Sequence, residues 1–313
     1  MYIGIDLGGT NIAIGLVDDN GKILKKGSRP TIATRPYTDI VKDMAELSGE
    51  VVAAAGFTMK DVDGIGIGCP GTIDNENGVV IYANNLNWNN AKIREELQKY
   101  YDLPVNIEND ANAAAYGEYA INGNNAESFI AITLGTGVGG GIVIDNKIYR
   151  GFNGAGAELG HITLVHNGEA CSCGRKGCWE SYASVTALIR QTDTAILNNP
   201  TSLMAKNAEK DGEVNGRTSF DAAKAGDTVA LEVVKKYIEY VADGISSIIN
   251  IFQPNVLVIG GGISKEGDYL LEPVKKYVEK VTYCKEVPQT EIKIATLRND
   301  AGIIGAALAT NAK

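Results

Sequence analysis

The chain has 313 residues, 44% of them hydrophobic and 21% charged. That supports a buried core for about two domains and excludes a disordered tail. Its 29 basic and 38 acidic residues leave a formal net charge of −9, which opposes nonspecific binding to nucleic acid or an anionic membrane. The opening Met1-Tyr2-Ile3-Gly4-Ile5-Asp6 shows neither a basic nor an apolar targeting segment. No apolar run approaches the roughly 18 residues of a spanning helix, so a cytoplasmic location is expected.

Residues 2–29 read as three short strands. Ile3-Gly4-Ile5 leads into a Gly8-Gly9-Thr10 turn, Ile12 to Val17 runs to the hairpin signal Asp19-Asn20-Gly21-Lys22, and Ile23-Leu24 begins the return. Apolar residues at 40, 41, 44, 47, 51 and 52 predict a helix between Thr38 and Gly56. Asp63 to Cys69 is a buried-strand candidate ending in Pro70-Gly71. Ile93, Leu97 and Tyr100 mark a further helix. Val105 to Glu108 reads as a strand, and Asn109-Asp110 opens an alanine-rich helix reaching about Tyr119. Strand and helix in alternation give an α/β class.

The pattern then restarts. Phe129 to Thr133 is a strand, Leu134-Gly135-Thr136-Gly137 a turn, Gly141 to Ile144 a strand and Asp145-Asn146-Lys147 a second turn. Two units with the same turn chemistry predict a duplicated domain with a cleft between the copies. Apolar positions 230, 234, 237, 241, 245, 248 and 252 predict a long amphipathic helix over Asp227 to Phe252. It feeds the apolar strand Val256 to Ile259, then Gly260-Gly261-Gly262 and more helix. The polar segment 190–220 reads as a helical excursion with a mobile loop. Asn299-Asp300 is expected to cap the small-residue helix Ala301 to Ala309.

Three glycine turns therefore follow predicted strands: Gly8-Gly9-Thr10, Gly135-Thr136-Gly137 and Gly260-Gly261-Gly262. Turns lacking Cβ atoms let backbone N–H groups converge on phosphate oxygens, and three at strand ends point to a nucleotide cleft. The chain contains no Gly-x-x-x-x-Gly-Lys-[Ser/Thr], so it is not a P-loop protein. Gly135 to Gly140 satisfies G-x-G-x-x-G, but a dinucleotide fingerprint must open a helix. These glycines run on into the strand pattern Ile142-Val143-Ile144, and a NAD-dependent reading is rejected.

Two aspartates sit at strand ends. Asp6 suits either a turn cap or a water-mediated hold on Mg²⁺ beside phosphates. Asp110 suits either a helix N-cap or an ionised carboxylate that accepts a hydroxyl proton during phosphoryl transfer. The most specific cluster follows. Of five cysteines, three lie in Cys171-Ser172-Cys173-Gly174-Arg175-Lys176-Gly177-Cys178, which begins after nine intervening residues from His161. One imidazole and three thiolates make a closed tetrahedral zinc site, structural rather than hydrolytic. Cys69 and Cys284 read as ordinary thiols, and His166 as an exposed loop residue. Glu158 and Glu180 flank the cluster. They are either solvated charges or two carboxylates aimed by the metal loop at a polyhydroxylated ligand.

On these stretches the chain resembles the ROK family of bacterial sugar kinases and related repressors, in the actin-like ATPase superfamily, and is most similar to its glucokinases. The resemblance runs from Ile3-Gly4-Ile5-Asp6-Leu7-Gly8-Gly9-Thr10 to Asn299-Asp300-Ala301-Gly302. It is carried most specifically by Glu108-Asn109-Asp110-Ala111-Asn112, by Gly135 to His161, and by the cysteine loop through Glu180. It implies two actin-like (ribonuclease H-like) α/β domains with mixed sheets flanking a nucleotide and sugar cleft. One comprises 1–118 with 299–313, the other 119–298 with a zinc loop at 161–178.

By resemblance, Asp110 is the base for the sugar 6-hydroxyl, and Gly71, Asn85, Asn109, Glu158, His161 and Glu180 bind sugar. Asp6, Gly8, Gly9, Thr10, Asn11, Gly135, Thr136, Gly137, Gly260, Gly261 and Gly262 hold ATP with its Mg²⁺. His161, Cys171, Cys173 and Cys178 hold Zn²⁺, with the second imidazole nitrogen of His161 turned to sugar. The expected reaction is phosphorylation of glucose by ATP, in a homodimer or homotetramer. Fructose, mannose, N-acetylmannosamine or N-acetylglucosamine are the alternative substrates. A sugar-responsive repressor fits less well, because such relatives carry an N-terminal helix-turn-helix and this chain begins at its first strand.

Overall fold

The computed structural model describes residues 1–123 and 126–311. In chain order, β1 (Tyr2–Leu7), β2 (Asn11–Val17) and β3 (Ile23–Pro30) form the first meander, followed by α1 (Tyr37–Ala54) and β4 (Gly64–Cys69). Then come β5 (Thr72–Asp74), β6 (Val79–Ala83), β7 (Trp88–Ala91), α2 (Ile93–Leu97), β8 (Val105–Asn109) and α3 (Asp110–Asn122). The second half begins with β9 (Ser128–Leu134), β10 (Val138–Ile144) and β11 (Lys147–Ile148). It continues through α4 (Glu180–Ala183), α5 (Val185–Asn198), α6 (Leu203–Asp211), α7 (Thr218–Lys224) and α8 (Thr228–Phe252). Last are β12 (Val256–Gly260), α9 (Asp268–Val281), β13 (Glu291–Ile294) and α10 (Ala301–Ala309).

The chain divides into two compact units, Met1–Ala131 with Gly141–Ala157 and Thr296–Lys313, and Ile132–Gly140 with Glu158–Ala295. The strand order β3-β2-β1-β4-β8 of one five-stranded sheet recurs as β11-β10-β9-β12-β13 in the other. This is the repeat that the paired turn chemistry predicted. In the first sheet β1 pairs antiparallel with β2 and parallel with β4, and β4 pairs parallel with β8. The register sets Asp6 beside Gly68 and Gly68 beside Glu108. Three strands thus end together, which is where open α/β sheets place their ligands.

In the first unit, Ile3, Ile5, Leu7, Ile12, Ile14 and Leu16 are fully buried with Ile40, Val41 and Met44 of α1. Each such side chain contributes about 1.5–3 kcal/mol relative to exposure. Helix α10 packs on β1, β4 and α3, and its small residues are needed there. A Cβ on Gly66 would overlap the carbonyl of Ala306. In the second unit, α8 starts at an Asp227 cap whose side chain accepts the Ala230 amide at 2.9 Å. Its buried stripe includes Val234, Tyr237, Val241, Ile245 and Ile248.

Several expectations are corrected. Helix α2 ends at Leu97, before Tyr100. Segment 72–91, which has no periodicity long enough to read, forms the antiparallel sheet β5-β6-β7. The helical excursion expected over 190–220 is met, by parts of α5, α6 and α7. Asp300 precedes α10 but makes no side-chain cap. Its carboxylate instead accepts from Lys26 Nζ at 2.9 Å, because a cation across the unit outcompetes a local amide.

Candidate functional site

The first unit collects one half of the proposed residues. At the β8–α3 junction Asn109 is the N-cap, its side chain accepting the amides of Ala111 at 3.0 Å and Asn112 at 3.2 Å. Capping therefore falls to Asn109, and Asp110 is not needed for it. One oxygen of Asp110 accepts the Ala111 amide at 2.9 Å, which leaves the other to a ligand. Burial pushes the Asp110 carboxyl above the ordinary carboxylate range, while the Ala111 amide opposes it. Burial, together with the Asp110 charge, pushes Asp6 up from 3.8 to about 6. Two carboxylates raised by burial at the end of a sheet, one of them also by the charge of the other, are a functional signature.

The neighbouring loops converge on this pair. Asn109 Nδ2 donates to the Gly71 carbonyl at 3.2 Å. A Cβ on Gly9 would lie 3.0 Å from the Asn85 carbonyl oxygen, so the first glycine turn packs against the sugar-loop candidate. Thr10 and Asn11 are exposed. The turn is braced by Thr31, a residue the sequence reading missed. Thr31 is fully buried and donates through Oγ1 to the Gly8 carbonyl at 2.6 Å and through its amide to Thr10 at 3.0 Å. Also missed were Glu108, Arg150 and Asn75. Glu108 is 1% exposed and pairs with Arg150 at 2.5 Å, and Asn75 Nδ2 lies 3.3 Å from its carboxylate. No local pattern announces a partner so far along the chain.

The second unit collects the other half. Gly135-Thr136-Gly137 links β9 to β10, so the G-x-G-x-x-G run does continue as a strand. The turn is held by α5: Val185 N donates to the Gly135 carbonyl at 2.8 Å and Thr186 Oγ1 to the Thr136 carbonyl at 2.8 Å. Glu180 Oε2 accepts the Val138 amide at 3.0 Å. A Cβ on Gly137 would collide with that same oxygen. Glu158 is exposed and its carbonyl accepts the His161 amide at 3.0 Å, closing a single helical turn. Gly260 ends β12, and Gly261 and Gly262 begin the turn beyond it, with Ser264 Oγ bonded to the Gly261 carbonyl at 2.7 Å.

His161, Cys171, Cys173 and Cys178 present donor atoms that all lie within 4.8 Å of one another. The His161 Nδ1 to Cys171 Sγ separation is 3.6 Å and the Cys173 to Cys178 sulfur separation is 3.6 Å. Tetrahedral zinc with Zn–S near 2.3 Å and Zn–N near 2.1 Å requires edges of about 3.5–3.8 Å, so the donor set fits that ion. The Arg175 backbone amide holds the Cys173 thiol below its ordinary range, which favours the ligating thiolate. Because Nδ1 faces the sulfurs, Nε2 of His161 is left for another partner. His166 is exposed, as expected. Cys69 is buried and Cys284 half-buried.

The sequence matches the ROK family profile over residues 2–313. The chain belongs to the ROK family. This ROK protein is 38% identical over 306 residues to a glucokinase of Halalkalibacterium halodurans, covering 97% of this chain and 93% of the relative. It is also 38% identical to a glucokinase of Thermotoga maritima, over 97% of this chain and 95% of that one. Among solved structures it is similar to a ROK family glucokinase from Streptomyces griseus in complex with glucose and AMPPNP, with a TM-score of 0.80 and 36% identity. That match covers 98% of this chain and 97% of the solved one. The α/β class with mixed sheets is met. Among the described residues, no helix is long and apolar enough to cross a membrane.

Proposed function

We propose that this protein transfers the γ-phosphoryl group of ATP to the 6-hydroxyl of glucose. The observation that carries this reading is Asp110, a half-buried carboxylate at the end of the first sheet, freed from capping by Asn109 and near enough to Asp6 for its charge to push the Asp6 carboxyl up. Nearly full-length likeness to glucokinases supports the hexose. Asp110 accepts the hydroxyl proton as the phosphorus–oxygen bond forms, and the leaving group is ADP. This is a positioned general base of the kind phosphoryl transfer uses. Gly71, Asn85, Asn109, Glu158, His161 and Glu180 are the sugar ligands of this reading.

The turns Gly8-Gly9-Thr10-Asn11, Gly135-Thr136-Gly137 and Gly260-Gly261-Gly262 bind the nucleotide through backbone amides. Asp6 would hold Mg²⁺ through water, and the ion would supply positive charge to offset the phosphates. His161 Nδ1, Cys171, Cys173 and Cys178 would hold zinc, whose role is to fix the loop that presents Glu180. We place these groups in two actin-like domains, 1–118 with 299–313 and 119–298, and take the assembly to be a homodimer or homotetramer.

A coupled assay with ATP and Mg²⁺ against glucose, mannose, fructose, N-acetylglucosamine and N-acetylmannosamine tests the reading through kcat/KM. Glucose should lead. A lead for another sugar would correct the substrate, and no turnover on any would sink the kinase assignment.

A further inference from the structure

One buried charge lies outside the roles assigned so far. Glu108, the residue two before Asp110, is almost wholly buried yet has both oxygens satisfied. Oε1 accepts the amide of Asn109 at 2.9 Å and Asn112 Nδ2 at 3.1 Å. Oε2 receives Arg150 Nε at 2.6 Å, another guanidinium nitrogen of Arg150 at 2.5 Å and Asn75 Nδ2 at 3.3 Å. Asn75 also donates to the Ile107 carbonyl at 2.5 Å. One carboxylate therefore ties together β8, the start of α3, the turn after β5 and the segment after β11.

Arg150 works at both ends. Its guanidinium holds Glu108, and its carbonyl accepts the Gly156 amide at 2.9 Å, closing the loop 150–156 on itself. A carboxylate buried to 1% exposure would be untenable if uncompensated, because taking its charge out of water is costly. Arg150 compensates it. As a stabilising device the arrangement is poor, since a buried ion pair gains little over well-packed apolar residues. As a means of fixing one geometry it is effective, because every donor around the carboxylate is directional.

We propose that Glu108 and Arg150 form a positioning pair for phosphoryl transfer. The pair holds the Asn109–Asp110 junction in register with the 150–156 loop, so that the sugar-orienting amide and the base keep a fixed separation. This rests on the reading of Asp110 as the base and Asn109 as a sugar ligand.

The test uses the full-length enzyme, with Arg150→Met, Arg150→Lys and the charge-neutral double variant Glu108→Gln/Arg150→Met. Kinetics, calorimetric glucose binding and Tm are measured on each. In Arg150→Met kcat should fall by about tenfold or more per folded molecule, as expected for a displaced catalytic group. The KM for ATP should stay within about twofold and glucose binding should weaken severalfold, while Arg150→Lys recovers most of the loss. The double variant leaves no uncompensated charge, so it folds even where Arg150→Met does not, and it should still lose about tenfold in kcat. A folded double variant with wild-type kcat and glucose affinity, changed only in Tm, would make the pair merely structural. Wild-type turnover is the separate control: its absence overturns the kinase reading, whereas its presence with unaltered variants overturns only the pair.

Discussion

Glu180 Oε2 accepts the backbone amide hydrogen of Val138 at 3.0 Å, and its other oxygen lies 3.7 Å from Cys171 Sγ. One carboxylate thus joins the glycine turn after β9 to the cysteine loop. Gly137 has no Cβ, and a methyl group there would occupy the place of Glu180 Oε2. Gly137→Ala should therefore break the Val138 bond and swing the carboxylate aside. A charged hydrogen bond is worth about 1.5–3 kcal/mol, so glucose KM should rise roughly tenfold or more. A parallel change in KM for ATP alone, with glucose unaffected, would show that Glu180 does not serve the sugar.

Asp110→Asn removes the proposed base but keeps the shape of the residue and the Asn109 cap. A general base contributes about 10²–10⁴ in rate. The variant should lose about that much kcat while glucose affinity, measured by calorimetry, stays within about threefold. Near-normal turnover would refute the role of Asp110.

Asp6 gives a prediction with a pH dependence. Its folded value, about 6 against an ordinary 3.8, means that the folded state binds this proton more tightly than the unfolded chain. Stability from Asp6 is therefore complete below pH 4 and is lost as pH rises through 6. The loss is about 3 kcal/mol at about 1.4 kcal/mol per pH unit. Asp6→Asn should raise the Tm of the ligand-free protein at pH 8, have little effect on it at pH 4, and lower kinase activity. A functional carboxylate kept at the expense of stability has this behaviour. A variant less stable than wild type at pH 8 would contradict it.

Cys173→Ser replaces an exposed thiolate donor with a hydroxyl. Zinc content by elemental analysis should fall from about one ion per chain toward zero, with Tm lower by about 5 °C or more. Sugar affinity should drop with it, since His161 and Glu180 lose their anchor. A zinc-free variant with intact glucose affinity would detach the loop from sugar binding.

The fold class, the three glycine turns and the cysteine cluster were legible in the sequence because each depends on residues close together in the chain. A glycine turn after a strand is read from a few consecutive residues, and the four candidate metal donors lie on one short stretch of chain. The strand order was half legible. Repeated turn chemistry predicted duplication, but only pairing revealed that the same order, 3-2-1-4-8 and 11-10-9-12-13, occurs twice.

What the tertiary structure alone decided is which side chain does what. The adjacent Asn109 and Asp110 are both good helix caps, and only the observed hydrogen bonds give the cap to Asn109 and leave Asp110 a free oxygen. Asp300 reads as a cap yet serves Lys26. The Glu108–Arg150 pair joins residues 42 positions apart, and the Thr31 brace reaches Gly8 across 23. Local periodicity reports the burial of a face over one or two turns of chain. Ion pairs and buried polar contacts depend on where distant segments meet, and that meeting is set by packing of the whole core.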